Sequence, residues 1–389
     1  MTRRLAPAAI VVMIAACADA GGGGEPIARV DTLASGIVEV TNRVDLAPAW
    51  RLVLRQQFAD TPGAELSDPS EILVDAAGRV YVLDDDPAVV RVFASDGRPL
   101  HTIGREGSGP GEFVGGGMIF LSHDTLVHQD PRQSRAQAFT LDGALITQWT
   151  SPCCVRVPTL ADTLGRIPIP GDVGRLPPSE DDAGAGMGYL RYRVDGTLVD
   201  TLDFPPAPLP AMWRATDGRN RWNWFIPMQP TVAHVLDREG RMIWGSQRGG
   251  TFVISRTGRD TLARFVLDES PPAIPDSVRQ AAVDDLVASN PVFANIAQVA
   301  DVPTTYPAWS GLSVDDLNRT WILRPGPGGG ADHWHVVDPD GRLLARVSSP
   351  PLDAERLHIG ARWVHALEPD QATGLDVVRV YEIVVESPD

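Results

Sequence analysis

Short runs of apolar residues, separated by polar turn signals, recur along most of this chain. Between Ser70 and Gly104 there are four such runs, rich in Val, Ile, Leu, Tyr and Phe, and their turn signals are Ala77-Gly78, Asp85-Asp86-Pro87 and Asp96-Gly97. The pattern predicts a four-stranded antiparallel meander. Because one such sheet cannot bury both of its faces, copies that return at intervals of roughly forty to eighty residues predict a β-propeller.

The hairpins of the repeat use the same residue types at each copy. In the inner hairpin an apolar strand ends in Asp, and Gly or Asn stands three residues later, directly before Arg, at Asp75, Asp237 and Asp315. These carboxylates are better explained as turn-formers than as catalytic acids, since an Asx-turn accounts for all three. The outer hairpin recurs with Asp-Gly or a similar pair after alternating residues, in copies that start at Val89, Ala136, Tyr189, Thr251 and His333.

Counting the copies gives five complete units and a sixth that is split between the two ends of the chain. The C-terminal part supplies three strands, near residues 356–360, 363–367 and 377–384, and Trp50–Phe58 is the candidate for the missing outer strand. Pairing of these two ends would close the ring and remove open sheet edges. We therefore expect an all-β, six-bladed propeller of four-stranded antiparallel blades, with seven blades as the alternative.

The loop sequence GREGSGPGEF, which starts at Gly104, and the strands GRVYVLD and VVRVF, which precede it, carry a family resemblance. The chain resembles the NHL-repeat group of six-bladed propellers and, more closely, bacterial six-bladed β-propeller proteins of the exported lipoprotein type. The resemblance covers residues 50–386 and is strongest over residues 66–149. It implies a fold and no activity, because this architecture hosts binding scaffolds, lyases and lactonases alike.

Two segments depart from the repeat. The third unit is irregular, with a Pro- and Gly-rich stretch between Ile167 and Gly188, and a stretch from Pro275 to Asn290 predicts a helix that starts at Pro and ends at Asn-Pro. The expected organisation is a signal peptide with a lipobox at residues 1–17 and a flexible tether at 18–35. A single propeller domain follows at 36–386, with its helical insert at about residues 275–290.

The extreme N-terminus has the pattern of an export signal. Arg3 and Arg4 precede an apolar run, Leu5 to Ile14, that is too short to span a bilayer. Ile14 to Cys17 resembles a bacterial lipobox, which implies lipidation of Cys17 and attachment to a membrane facing the periplasm or the cell exterior. Alternatively, Ala18-Asp19-Ala20 is an ordinary signal-peptidase site, and cleavage there would discard Cys17.

Composition excludes several classes of function. The 389 residues are 43% hydrophobic and 22% charged, as in ordinary globular proteins, and the net charge of −16 argues against nucleic acid as a partner. All 34 basic side chains are arginine, so there is no Walker A loop and no lysine Schiff base. Neither G-x-S-x-G nor H-E-x-x-H occurs, which removes the simplest hydrolase and metalloprotease interpretations.

Cysteine use is minimal. Apart from Cys17, only the adjacent pair Cys153 and Cys154 is present. In an oxidising compartment these two could form a vicinal disulfide, and the alternative is a pair of thiols packed against apolar neighbours. They do not make a zinc site on their own, because zinc takes four ligands.

Histidines supply the metal hypotheses. His333 and His335 lie two residues apart on a predicted strand and therefore share a face, but that strand is not an innermost one. His234 and His358 lie on predicted innermost strands and are the better, still weak, candidates for an axial ligand. We expect no cofactor, and a single axial Ca²⁺ or Zn²⁺ is the alternative.

Aromatic residues concentrate between the third and fourth units. Trp213, Trp222 and Trp224 occur there with Arg219 and Arg221. Trp and Arg are enriched at interaction hot spots, so this stretch is a candidate binding surface, whereas the alternative is that the indoles fill a blade interface. The acidic run Asp84-Asp85-Asp86 predicts a turn on a solvated rim rather than a calcium cluster.

Two functional classes follow from these patterns. The first is a membrane-tethered, monomeric, non-enzymatic propeller that binds a protein, peptide or glycan outside the cytoplasm and touches the membrane only through its lipid. The second is a metal-dependent lactonase or lyase that uses the axial channel of the same fold. The enzyme requires at least three His, Asp or Glu side chains that converge at one mouth of the channel. Because the repeated Asp and Gly residues are used by turns, the sequence favours the first class.

Overall fold

The computed structural model describes residues 26–60, 63–152, 157, 159–174, 182–326 and 331–386. Three strands precede the first repeated unit: β1 (Ala28–Thr32), β2 (Val38–Asn42) and β3 (Ala49–Phe58). Strand β1 pairs antiparallel with β2, so residues 28–32 are not part of a flexible tether as the sequence predicted. The alternation of apolar and polar residues around Val30 is a strand pattern that is too short to stand out in the sequence.

The first two repeated units are the most regular. Each forms a four-stranded antiparallel sheet in which neighbouring strands are consecutive along the chain. The strands of the first are β4 (Pro69–Val74), β5 (Val80–Asp85), β6 (Ala88–Phe93) and β7 (Pro99–Ile103). Those of the second are β8 (Met118–Ser122), β9 (Thr125–Asp130), β10 (Arg135–Thr140) and β11 (Leu145–Thr150).

The third sheet departs from the expected four strands. Among the residues that the structure describes it contains three, which are β12 (Ile167–Asp172), β13 (Met187–Tyr192) and β14 (Leu198–Asp203). An inner turn is present, because the backbone N–H of Asp162 donates to the carbonyl of Arg166. Beyond this turn, residues 159–161 form no ladder with β12, because Pro168 and Pro170 have no N–H to donate on that side.

A two-stranded hairpin, β15 (Met212–Thr216) and β16 (Arg221–Phe225), follows the third sheet and pairs with no other described strand. The next sheet is larger than expected, with six strands. Its repeated part is β17 (Val232–Leu236), β18 (Met242–Ser246), β19 (Thr251–Ser255) and β20 (Ala263–Leu267). Strand β2 runs parallel to β20, and β1 then forms the outermost edge.

The insertion before the next sheet contains the only α-helix among the described residues, α1 (Asp276–Ser289), within the range that the sequence predicts. Two 3-10 turns follow it, at Pro291–Phe293 and Val299–Asp301, and a third lies at Val44–Leu46 near the N-terminus. Among the residues that the structure describes, no helix has the length and apolarity needed to cross a bilayer.

The remaining strands form one eight-stranded sheet that includes β3. Its members are β21 (Gly311–Val314), β22 (Thr320–Pro325), β23 (Ala331–Val337), β24 (Leu343–Ser348), β25 (Leu357–Ile359), β26 (Trp363–Pro369) and β27 (Asp376–Val385). Strand β3 pairs antiparallel with β27 over most of its length, while its first residues pair parallel with β24. The segment Trp50–Phe58 therefore pairs with the last strand of the chain.

Turn glycines of the outer hairpins also pack against neighbouring sheets. A Cβ added at Gly97, in the turn between β6 and β7, would lie 2.6 Å from Cβ of Phe58 on β3. In the same way, a Cβ at Gly196 would meet Trp149 on β11, and one at Gly341 would meet Phe265 on β20. Each of these glycines has a positive φ as well, so both backbone conformation and space select glycine.

Candidate functional site

Two insertions that are distant in sequence form one small unit, which we call the insertion module (residues 212–226 and 273–305). Trp213 of β15 is 4% exposed, and its Nε1 donates to Oδ2 of Asp301 at 2.9 Å. Arg279 of α1 donates to the carbonyls of Val299 and Val302. The module's buried core draws all of its members from these two insertions: Trp213, Ala215, Val283, Leu286, Phe293, Ala297 and Val302.

Strand β16 is the exposed side of this module. Trp222 is 43% exposed, Trp224 46% and Phe225 59%. In the register of the hairpin Trp224 stands opposite Trp213, so their side chains lie on the same face of the two strands. The third-strand position beside β16 is vacant among the described strands, whereas β15 contacts the 3-10 turn Pro291–Phe293.

The structure separates the five residues of the predicted binding surface into two groups. Trp213 belongs to the core of the insertion module, and the other four, Arg219, Arg221, Trp222 and Trp224, are exposed. The turn that carries Arg219 is held by Asp217, whose Oδ1 accepts from the backbone N–H of Arg219 and of Asn220. These backbone hydrogen bonds lower the pKa of Asp217. The hairpin thus presents its side chains from a defined turn.

Strands of several sheets line a narrow cavity of about 50 Å³. Its lining includes residues of β4, β17, β21 and β25, and the polar side chains among them include Glu71, Glu355 and His358. Oε2 of Glu71 accepts from the backbone N–H of Ile119 on β8 at 2.8 Å. Sites for drug-sized ligands measure roughly 300–1,000 Å³, so this cavity is small by comparison.

The structure does not bring His234 and His358 together into a metal site. Nε2 of His234 lies 3.2 Å from the hydroxyl of Tyr189, and its ring packs against Phe204, with burial lowering its pKa to about 4. Nε2 of His358 lies 3.4 Å from Oδ2 of Asp316. Among the described residues, no third His, Cys, Asp or Glu joins either of them in a possible metal cluster.

The cluster that the described residues do form uses none of the residues that line the narrow cavity. Glu269 follows β20, while His333 and His335 lie on β23, and their candidate ligand atoms are all within 4.8 Å of one another. Oε2 of Glu269 is 3.6 Å from Nε2 of His335 and 3.9 Å from Nε2 of His333. Sequence reasoning placed the two histidines on one face but had no signal for Glu269, which belongs to the neighbouring sheet.

Two arginines adjoin this cluster. Nε of Arg324 lies 3.0 Å from Oε2 of Glu269, and its NH1 donates to the carbonyl of Ala308. Arg346 lies 3.2 Å from Nδ1 of His333. Burial, with help from His333 and both arginines, lowers the pKa of His335 to about 3. The His335 imidazole is therefore neutral at ordinary pH.

The repeated Asp residues act as turn-formers. Oδ1 of Asp315 accepts from the backbone N–H of Leu317 and Arg319, and its Oδ2 accepts from Nε of Arg319 and Nε1 of Trp321. Asp75 and Asp237 hold the same Asp-Arg arrangement. Asp162 is a fourth member that the sequence analysis missed, although the sequence DTLGR carries the same spacing.

The acidic run at the end of β5 is likewise engaged in local structure, but its first residue does not lie on a solvated rim as the sequence predicts. Asp84 is fully buried and accepts from the backbone N–H of Asp68 and from Nε of Arg91. Oδ1 of Asp85 accepts from the backbone N–H of Gly116.

The predicted lipidation of Cys17 and the possible disulfide between Cys153 and Cys154 concern positions outside the described residues.

Comparison with known proteins gives a partial family match. Residues 62–147 match a family model described as a 6-bladed beta-propeller, DUF5128. This stretch contains the first two sheets but covers less than half of the chain. No curated protein matches the chain in sequence.

Solved structures with some likeness are distant in sequence. A Bacteroides fragilis protein provisionally described as exported has 11% identity and a TM-score of 0.47, with 90% of this chain and 99% of that chain covered. A DUF4221 family member from Bacteroides vulgatus has 9% identity and a TM-score of 0.47 (86% and 98% covered). Virginiamycin B lyase from Staphylococcus aureus has 11% identity and a TM-score of 0.43 (86% and 100% covered). The antiparallel sheets and the family match together assign this chain an all-β, propeller-like fold with one helix.

Proposed function

We infer that six blades form one ring, in which the eight-stranded sheet supplies two blades, β21–β24 and β25–β27 completed by β3, and the hairpin β15–β16 is not a blade. Support comes from the pairing of β3 with β27 and from the contact of Gly97 with Phe58 on β3. That contact repeats the relation of Gly196 to Trp149 and of Gly341 to Phe265, in which a turn glycine meets the outer strand of the preceding sheet. In this arrangement β3 is the outer strand that precedes the first unit.

We propose that the chain is a non-enzymatic binding module, and that strand β16 is its recognition element. The observation that carries this proposal is the exposure of Trp222, Trp224 and Phe225 on a strand whose hairpin is anchored by Trp213. Exposed aromatic residues on a rigid support are typical of interaction surfaces, because they contribute contact area at a low cost in conformational entropy. An unpaired strand edge next to them suits an extended polypeptide.

The partner that fits this surface is an extended, acidic segment of another protein. The hairpin and its turn contain Arg214, Arg219 and Arg221 against one acidic residue, Asp217, in a chain whose net charge is −16. A local positive patch on an acidic protein attracts acidic segments and disfavours basic ones. Added as a third strand beside β16, such a segment would place alternate side chains against the two indoles.

Export and membrane attachment belong to the same proposal. The lipobox-like residues ending at Cys17 support a lipid anchor, with the propeller held outside the cytoplasm. Replacement of Cys17 by Ser should release the protein from the membrane fraction and change its processing. Unchanged membrane association in Cys17→Ser would show that lipidation is wrong.

Selection of random dodecapeptides by display on the full mature chain tests the binding function. We expect enrichment of peptides that contain Asp or Glu, and we expect the double variant Trp222→Ala/Trp224→Ala to bind them at least about tenfold more weakly. Leu145→Ala, which alters an exposed apolar residue on β11, is the matched control and should bind normally. If no peptide distinguishes wild type from the double variant, the proposal fails.

A further inference from the structure

The cluster of Glu269, His333 and His335 lies between two neighbouring sheets. On the side of β23 that carries the two histidines, Arg324 of β22 pairs across from His333, and Arg346 of β24 pairs across from His335. The carboxylate of Glu269 reaches this side from the segment that follows β20. The cluster thus combines donors from two sheets at one point.

His335 has buried ring nitrogens without a hydrogen-bond partner among the described residues. The residue as a whole is 1% exposed. Buried polar atoms in folded proteins are nearly always satisfied by protein groups, water or a bound ion. Nε2 of His335 lies 3.6 Å from Oε2 of Glu269, the oxygen that also forms the ion pair with Nε of Arg324.

We propose that Glu269, His333 and His335 form a binding site for a divalent transition-metal ion, with Zn²⁺ as the best match. Two imidazoles and one carboxylate are a donor set typical of zinc, whereas calcium and magnesium take oxygen ligands. Three protein ligands leave a further coordination position for water. Arg324 would orient the carboxylate from behind, as outer-shell partners of metal ligands commonly do.

Arg346 affects how His333 can bind a metal ion. Because Arg346 donates to Nδ1 of His333, the neutral ring carries its proton on Nε2, the nitrogen that faces Glu269. Metal binding therefore either releases that proton from Nε2 or displaces Arg346 from Nδ1. The positive charge of Arg346 also opposes a cation at this distance. Removal of Arg346 should accordingly strengthen metal binding.

The position of the site links it to the insertion module. Glu269 lies in the segment that leads into the module, and Ala308, which accepts from Arg324, lies in the segment that returns from it. A metal held by Glu269 and by the two histidines would cross-link the base of the module to β23. This inference does not depend on peptide binding at β16, so either proposal can fail without the other.

Titration of ZnCl₂ into the chelator-treated full mature chain tests the site. Calorimetry together with metal analysis after gel filtration should give one Zn²⁺ per chain, and the unfolding temperature should rise with zinc concentration. Glu269→Gln and His335→Gln should each weaken zinc binding at least about tenfold. Because Glu269→Gln also takes the carboxylate from the buried Arg324, circular dichroism and gel filtration must first show that this variant is folded. Arg346→Gln should bind more tightly than wild type.

His101→Gln is the control, because this residue lies on the outer strand β7, outside the cluster. It should keep wild-type stoichiometry and affinity. The proposal is overturned if wild type retains no zinc after gel filtration. It is equally overturned if the folded Glu269→Gln variant binds zinc as well as wild type does.

Discussion

The indole Nε1 of Trp213 donates a 2.9 Å hydrogen bond to Oδ2 of Asp301, a residue 88 positions further along the chain. This bond joins the hairpin β15–β16 to the helical insertion, and around it lies a core that uses only residues of the two insertions. The exposed aromatic strand therefore rests on its own small core instead of on a propeller sheet. The stability of that core decides how rigidly β16 is presented.

Truncation of the anchoring indole should loosen the insertion module. We expect Trp213→Ala to lower the free energy of opening of α1 by about 3 kcal/mol or more, because it leaves a cavity and removes a hydrogen bond. Hydrogen exchange of the α1 amides measures this. Trp222→Ala, which removes an exposed indole from the same hairpin, should change the opening free energy by no more than about 0.5 kcal/mol. Equal effects of the two variants would contradict the described core.

Substitution at Gly97 should report on the contact between the first unit and β3. Gly97 has φ +82°, and an added Cβ would overlap the side chain of Phe58. Gly374 has φ +73° but nothing within 4 Å of an added Cβ, so Gly374→Ala carries only the backbone strain of about 1–2 kcal/mol. We expect Gly97→Ala to cost a further 1–3 kcal/mol or so from overpacking. Urea unfolding measures both, and similar midpoints would argue against the Gly97–Phe58 contact.

The repeated Asp-Arg turn should contribute most to the free energy of unfolding where its Asp is buried. Oδ2 of Asp315 is shared by Nε of Arg319 and Nε1 of Trp321, and the residue is fully buried. Asp338 forms the related outer turn and accepts only from backbone N–H groups. We expect Asp315→Ala to destabilise the fold by about 3–5 kcal/mol, because it leaves Arg319 without its partner, and Asp338→Ala by about 1 kcal/mol. Denaturant midpoints of the two variants should differ accordingly.

Acid should destabilise the protein through buried histidines. His128 is fully buried against Phe113, and burial, partly offset by Asp130, lowers its pKa to about 4 from an ordinary 6.5. The unfolded chain therefore binds a proton near pH 6.5 that the folded chain does not bind until about pH 4. The stability that depends on neutral His128 is complete above pH 6.5 and falls as pH drops, by about 2 kcal/mol at pH 5.

The variant His128→Gln should show a correspondingly smaller loss of stability between pH 7 and pH 5. Phe113→Leu keeps the titrating ring and should keep most of the wild-type pH dependence, although its overall stability is lower. Unfolding midpoints measured across this range decide the matter. If the stability of His128→Gln falls between pH 7 and pH 5 as steeply as that of wild type, other groups cause the acid sensitivity.

Local patterns in the sequence were sufficient wherever neighbouring residues make the structure. The Asp, Gly and Arg spacing at Asp237 predicts a turn because its hydrogen bonds join residues at most four positions apart. The helix α1 was predicted from Pro275 and the Asn290-Pro291 stop for the same reason. The pairing of Trp50–Phe58 with β27 agrees with the sequence prediction that this segment is an outer strand for the C-terminal strands.

Tertiary structure alone decided which distant residues meet. Val30 is part of a strand because β2 pairs with the edge of β20 and β1 then pairs with β2. The apolar pattern of residues 28–32 is too short to predict this strand. Glu269 joins His333 and His335 because two sheets pack face to face, and Trp213 reaches Asp301 because two loops share one core. Such contacts depend on the relative placement of whole elements, which the alternation of apolar and polar residues along a single strand does not encode.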